Sequence, residues 1–90
     1  MTKVVAMTPK ELRELRAYLG IRQNYLAARM GVPRQTVTRW EAKPGKATEY
    51  RIITRHMAYA ILNTALVIAY EQGRKREPIH ELFAAVNSRT

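Results

Sequence analysis

The side chains in this sequence that could do chemistry are cations and hydrogen-bonding amides and hydroxyls, and the chemistry they suit is recognition of a polyanion. Residues 34–39 read Arg-Gln-Thr-Val-Thr-Arg, followed by Trp40. On a helix, Val37 and Trp40 would turn inward, leaving Arg34, Gln35, Thr38 and Arg39 on the outer face. These side-chain types match base edges. Arginine can donate two hydrogen bonds to guanine O6 and N7, glutamine pairs with adenine N6 and N7, and threonine can touch the thymine methyl. Arg22, Thr36, Lys43 and Lys46 flank the same stretch as candidate phosphate contacts. A helix beginning at Gln23 would add free N–H groups and partial positive charge, which favour a phosphate. From Arg22 to Lys46 there are six cations against a single acid, Glu41.

Bond-making chemistry is poorly supplied. Cysteine and aspartate are both absent, which removes disulfides, thiol nucleophiles and thiolate metal sites. His56 and His80 are the only imidazoles and sit on separate segments, so neither metal nor cofactor is expected. Seven glutamates show no paired-carboxylate motif, and no glycine-rich phosphate loop occurs, so no enzyme is expected. The formal charge is +9 and the pI about 10.5, with eleven of the sixteen cations arginine. That balance suits DNA, RNA or an acidic lipid surface. The apolar run Met57–Tyr70 is broken by Asn63 and is below the ~18 residues of a membrane span. Val4–Met7 is too short for a secretory core. The expectation is a soluble, cytoplasmic protein with no membrane partner.

Ninety residues predict a single domain over 1–90. Thr8-Pro9-Lys10-Glu11 is a capping box with proline at the first helical position. Met7 and Leu12 occupy the places of a hydrophobic staple, Leu12, Leu15 and Leu19 recur at helical spacing, and Gly20 ends the run. These signals predict a first helix over 9–19, preceded by a short loose arm at residues 1–7. A second helix spans 23–30, with Leu26, Ala27 and Met30 apolar and Gly31 as its stop. Pro33 opens a third, about 33–42, and Lys43-Pro44-Gly45-Lys46 is a basic turn. A long fourth helix covers about 49–72, with Thr54 as the place for a kink. After a charged loop at 73–77, Pro78 starts a last helix with Ile79, Leu82, Phe83 and Val86 on one stripe. No strand pattern or internal repeat is visible. The predicted fold is all-α with about five helices: an N-terminal helix-turn-helix bundle, a long C-terminal helix and a short last one.

The stretch 23–42 fits two crossed helices at each position that sterics dictate. Leu26, Met30, Val32, Val37 and Trp40 provide the packing contacts. Ala27 is small where the helices meet, and Gly31 sits in the turn, where a left-handed backbone suits glycine. An ordinary αα-corner would need fewer of these seven in register. Here the chain resembles the Cro/C1-type helix-turn-helix family of phage repressors and their bacterial relatives, over about residues 8–46. The resemblance is carried by Leu12-Arg13-Glu14-Leu15-Arg16, Leu19-Gly20-Ile21-Arg22-Gln23, Leu26-Ala27, Gly31-Val32 and Thr36-Val37-Thr38-Arg39-Trp40-Glu41. It implies a bundle whose third helix enters the major groove of double-stranded DNA, with Arg34, Gln35 and Arg39 facing bases and Gln23 facing a phosphate. It also implies a structural ion pair between Arg16 and Glu41, and makes Trp40 core. Two positions depart from the pattern. Arg22 and Pro33 stand where small polar caps usually precede the second and third helices, and each lost cap costs ~0.5–2 kcal/mol. Pro33 avoids part of that cost by having no N–H to satisfy.

Residues 47–90 match no family pattern. A fourth helix apolar nearly all round must be covered nearly all round. The stripe Tyr59, Leu66 and Tyr70 is the surface expected to meet a second copy, since two-fold pairing is the commonest oligomer and suits two DNA half-sites. The function expected is a sequence-specific transcriptional regulator, a dimeric (auto)repressor on a palindromic operator, with 47–90 as its dimerisation part. The alternative is an antitoxin whose residues 50–90 mask a toxin while the same motif autoregulates the operon. The helical, apolar character of 50–87 favours dimerisation over toxin masking.

Overall fold

Local signals set most of the helix boundaries. The computed structural model describes residues 5–42 and 51–89. Among these residues are five helices and no strand: α1 (Pro9–Leu19), α2 (Gln23–Met30), α3 (Arg34–Glu41), α4 (Arg55–Gln72) and α5 (Glu77–Arg89). α1 begins in a complete capping box. Thr8 Oγ1 accepts from the Glu11 amide at 3.1 Å, and Glu11 Oε1 accepts from the Thr8 amide at 2.9 Å. Two N–H groups that a helix start leaves open are thereby satisfied. α2 and α3 start at Arg22 and Pro33, both extended and neither giving a side-chain cap.

The turn between α2 and α3 needs a left-handed residue. Gly31 has φ of 72°, and its amide and that of Val32 fold back onto the Ala28 and Ala27 carbonyls at 3.2 and 3.0 Å. That closes the end of α2 and starts the chain toward α3. Any other residue there would carry a strained backbone even though no atom crowds the site.

A single apolar cluster joins both halves of the chain. Leu12, Leu15, Leu19, Leu26, Val37 and Trp40 pack with Ile61, Leu62, Ile68, Ile79 and Val86. α3 rests on α1 and α2, while α4 packs on α1, α2 and α5. Ala58, Ala65 and Ala69 are fully buried on α4, and their small size lets neighbouring helices approach it closely. No described helix is long and apolar enough to cross a membrane.

Three expectations need correction. The loose arm is anchored at its described end: Ala6 and Met7 are fully buried, the Ala6 amide donates to the Ile53 carbonyl at 3.0 Å, and Met7 pairs with Ile53 in an antiparallel bridge. Met7 is buried in the same apolar cluster as Leu12, its expected staple partner, which supplies the reason. Residues 51–53 are not helical; α4 starts at Arg55, with Thr54 as its extended N-cap. The β-branched Ile53 serves the bridge instead of the helix, so the expected kink is a helix start. α5 begins at Glu77, one residue before Pro78, where proline in the first turn removes no helical hydrogen bond.

Candidate nucleic-acid interface

The outer face of α3 is held from beneath by buried polar groups. Val37 and Trp40 fix the inner face, at 0% and 1% exposure. Beside them lies Glu41, buried and charged. Arg16 reaches it from α1 with Nε to Oε2 at 2.5 Å and Nη2 to Oε1 at 2.7 Å. The same guanidinium donates to the Ile21 carbonyl at 3.1 Å. Glu41 Oε1 also accepts from Gln23 Nε2 at 3.1 Å, and Gln23 Oε1 accepts from Thr38 Oγ1 at 3.1 Å. A continuous chain of hydrogen bonds therefore runs from α1 through the end of α3 to the start of α2 and back to the middle of α3. Among the described residues no buried side-chain polar atom lacks a partner. A satisfied network of this kind rigidifies what it connects.

Arg34, Gln35, Thr38 and Arg39 stand exposed above this support. The side chains of Arg34, Gln35 and Arg39 make no hydrogen bond or ion pair with another described residue. Thr38 differs, because its hydroxyl is engaged by Gln23 and lies 3.2 Å from the Arg34 carbonyl. Its methyl group is what it has left to offer.

The structure distributes the candidate phosphate contacts unevenly. Gln23 turns its amide inward to Glu41 and Thr38, so the open groups at the start of α2 are backbone N–H groups. Arg22 and Arg34 line a polar recess there, with Arg16 and Asn24. Thr36 lies on the other flank of α3, in a groove with Val32, Trp40, Arg51 and Met57. Lys43 and Lys46 fall outside the described residues. Two arginines that motif reasoning passed over help to hold α3. Arg13 Nη1 donates to the Glu41 carbonyl at 2.7 Å, and the Arg51 amide donates to the Arg39 carbonyl at 3.1 Å. Both satisfy carbonyls at the end of α3, where a cation is also favoured by the helix dipole. Arg13 is one turn before Arg16 on α1, a spacing that could have revealed it. Arg51 carried no signal, because its segment read as helix.

Two of the remaining acids are neutralised locally, away from this face. Glu11 takes both Nη groups of Arg89 at 2.5 and 2.8 Å, and that guanidinium holds its carboxyl below the ordinary 4.5. Glu71 takes Arg29 at 2.6 and 2.8 Å, with the same lowering. Among the described residues no cluster of histidine and acidic side chains could hold a metal, and His56 and His80 are both exposed.

On α4, Tyr59 stacks on Phe83 of α5 with ring centroids 6.1 Å apart, and its hydroxyl donates to Asn87. Leu66 is half-buried against the core, and Tyr70 is 75% exposed. Comparison with known proteins bears on α1 to α3 and the first half of α4: a helix-turn-helix family model matches residues 12–64, so the family pattern runs past residue 46, where the resemblance was expected to end. No curated protein and no solved structure matches the chain.

Proposed function

Because the chain belongs to the Cro/C1-type helix-turn-helix family of DNA-binding regulators, we propose that it reads a specific double-stranded site with α3 in the major groove and represses transcription there, its own operon included. The observation that carries this reading is the exposed set Arg34, Gln35, Thr38 and Arg39 on a helix locked from below by Arg16, Glu41 and Gln23. Side chains that read bases must be presented in fixed register, since each bidentate pair depends on geometry. Arg34 and Arg39 suit guanine, Gln35 suits adenine, and the Thr38 methyl suits thymine. Phosphates then fall to Arg22 and the backbone at the start of α2, to Thr36 and Arg51 on the other flank, and to Lys43 and Lys46.

One such unit covers a short half-site. Two copies joined through residues 50–90 would cover a palindrome, with half-site centres ~10–10.5 base pairs or a multiple apart. The test is selection of bound duplexes from a random pool, followed by footprinting of the best. Enrichment of a two-fold symmetric sequence, lost on Arg34→Ala, is the expected result. A pool that stays random after selection overturns sequence-specific binding.

A further inference from the structure

We propose that the basic loop between α4 and α5, Arg74-Lys75-Arg76, binds the DNA phosphates that flank the one received at the start of α2. The C-terminal part of the chain then adds a contact of its own to those of the helix-turn-helix. This deepens the DNA reading above and rests on it.

The loop is pinned against the last turn of α1. Tyr18 Oη donates to the Lys75 carbonyl at 2.6 Å, and Gln72 Nε2 donates to the Leu19 carbonyl at 2.9 Å. Arg74 Nε donates to Gln72 Oε1 at 2.7 Å, and its guanidinium lies over the Tyr18 ring, 5.9 Å from the centroid. Its Nη2 comes within 3.9 Å of the place where a side chain on Gly20 would begin. Gly20 stands two residues before Arg22, so their Cα atoms are at most ~8 Å apart. The basic loop and the start of α2 therefore lie side by side. They are far apart in sequence, and the loop is beyond the residues 12–64 that the family pattern covers.

Arg74, Lys75 and Arg76 are all exposed, and among the described residues none of them is in an ion pair. Glu71, before the loop, is taken by Arg29. Glu77, after it, opens α5, where a helix start favours an acid. With Arg22 the patch gathers four cations. Cations held this close repel one another, and a row of phosphates relieves that repulsion while its own counterions are released.

The backbone that carries these cations is fixed before binding. The Arg74 amide donates to the Ala69 carbonyl at 2.9 Å, and the Arg76 carbonyl accepts from the Ile79 and His80 amides, each at 3.0 Å. A loop held at both ends, and by Tyr18 in the middle, has little freedom left to lose on binding. Contacts to phosphate fix position and carry no base preference, so the loop adds affinity without changing the sequence read by α3.

The test compares Lys75→Gln, Arg76→Gln and the triple variant Arg74→Gln/Lys75→Gln/Arg76→Gln with Lys10→Gln, which removes an exposed cation at the opposite end of α1. Each single loop variant should flatten the slope of log affinity against log salt by ~0.9, and the triple variant by at least ~1.8, on selected and random duplexes alike. Lys10→Gln should keep the wild-type slope. Ethylating phosphates just outside the half-site should weaken wild-type binding and leave the triple variant unaffected. The side chains of Lys75 and Arg76 make no hydrogen bond or ion pair with a described residue, so the single variants should melt like wild type and carry the test if the triple variant unfolds. Slopes that stay at the wild-type value, slopes that fall equally in Lys10→Gln, or ethylation without effect outside the half-site overturn this inference and leave the DNA reading in place. A wild type that binds no duplex sinks both.

Discussion

The outer faces of α3 and α4 are equally uncovered by the described chain, yet they offer opposite chemistry. α3 presents Arg34, Gln35, Thr38 and Arg39, while α4 presents Ala60, Val67 and Tyr70 and no charge between His56 and Glu71. Exposure alone therefore says little about what a surface binds. Long donors and cations replace lost water contacts when they meet phosphates and base edges. Alanine, valine and tyrosine gain only when another apolar face excludes water. The supports differ in the same way. α3 has eight residues, too few for a stable isolated helix, and it is held by Trp40 and the Arg16–Glu41–Gln23 network. α4 is longer and rests on Ala58, Ile61, Leu62, Ala65 and Ile68.

The sharpest way to break this contrast is to remove the polar support. Glu41→Ala should cost about 3 kcal/mol in denaturant unfolding, because Arg16 loses its partner while partly buried; the value sits at the low end of the range for buried pairs since Arg16 keeps some water. A loss below ~1 kcal/mol would show that apolar packing alone holds α3. Next in size, Arg34→Ala or Arg39→Ala should cost ~1–3 kcal/mol on the selected duplex and relax preference at one base, with folding stability nearly unchanged. Equal losses on random DNA would make that residue a phosphate contact.

Gln23 sharpens the comparison further, since it lies at the phosphate-facing position of the resembled pattern but bonds inward. Gln23→Ala should lower folding stability by about 1 kcal/mol, through the lost bonds to Glu41 and Thr38, and leave the salt dependence of DNA binding unaltered. Arg22→Ala should do the reverse, reducing the slope of log affinity against log salt by ~0.9 with no change in melting. A changed slope for Gln23→Ala would mean that the amide swings out on DNA.

The smallest effect belongs to the Glu11–Arg89 pair, which ties α5 to the start of α1 and to the Ala6 carbonyl. The pairing lowers the Glu11 pKa from 4.5, so its contribution is present above that pH and is lost as pH falls through the lowered folded value. Arg89→Ala should destabilise the protein by ~0.2–1 kcal/mol at neutral pH and flatten the loss of stability below pH 4.5. An acid limb identical to wild type would assign that stability to other carboxylates.

What was legible in the sequence was local. The capping box at Thr8, the stops at Gly20 and Gly31 and the spacing of Leu12, Leu15 and Leu19 each act within one or two helical turns, so residue order alone settled α1 and α2. Val37 and Trp40 likewise decided which side of α3 is turned outward. Other features depend on residues far apart in the chain. Met7 meets Ile53 across an intervening bundle, and this anchors the arm and ends the helix expected before Arg55. The inward turn of Gln23 depends on Glu41 and Thr38 arriving from another helix. On α4 apolar residues surround the axis, so periodicity could not choose a buried side; only the placement of α1, α2 and α5 around it decided that Val67 and Tyr70 are left outside. A helical period carries orientation only where polar and apolar residues alternate around the axis, and where they do not, neighbours in space make the choice.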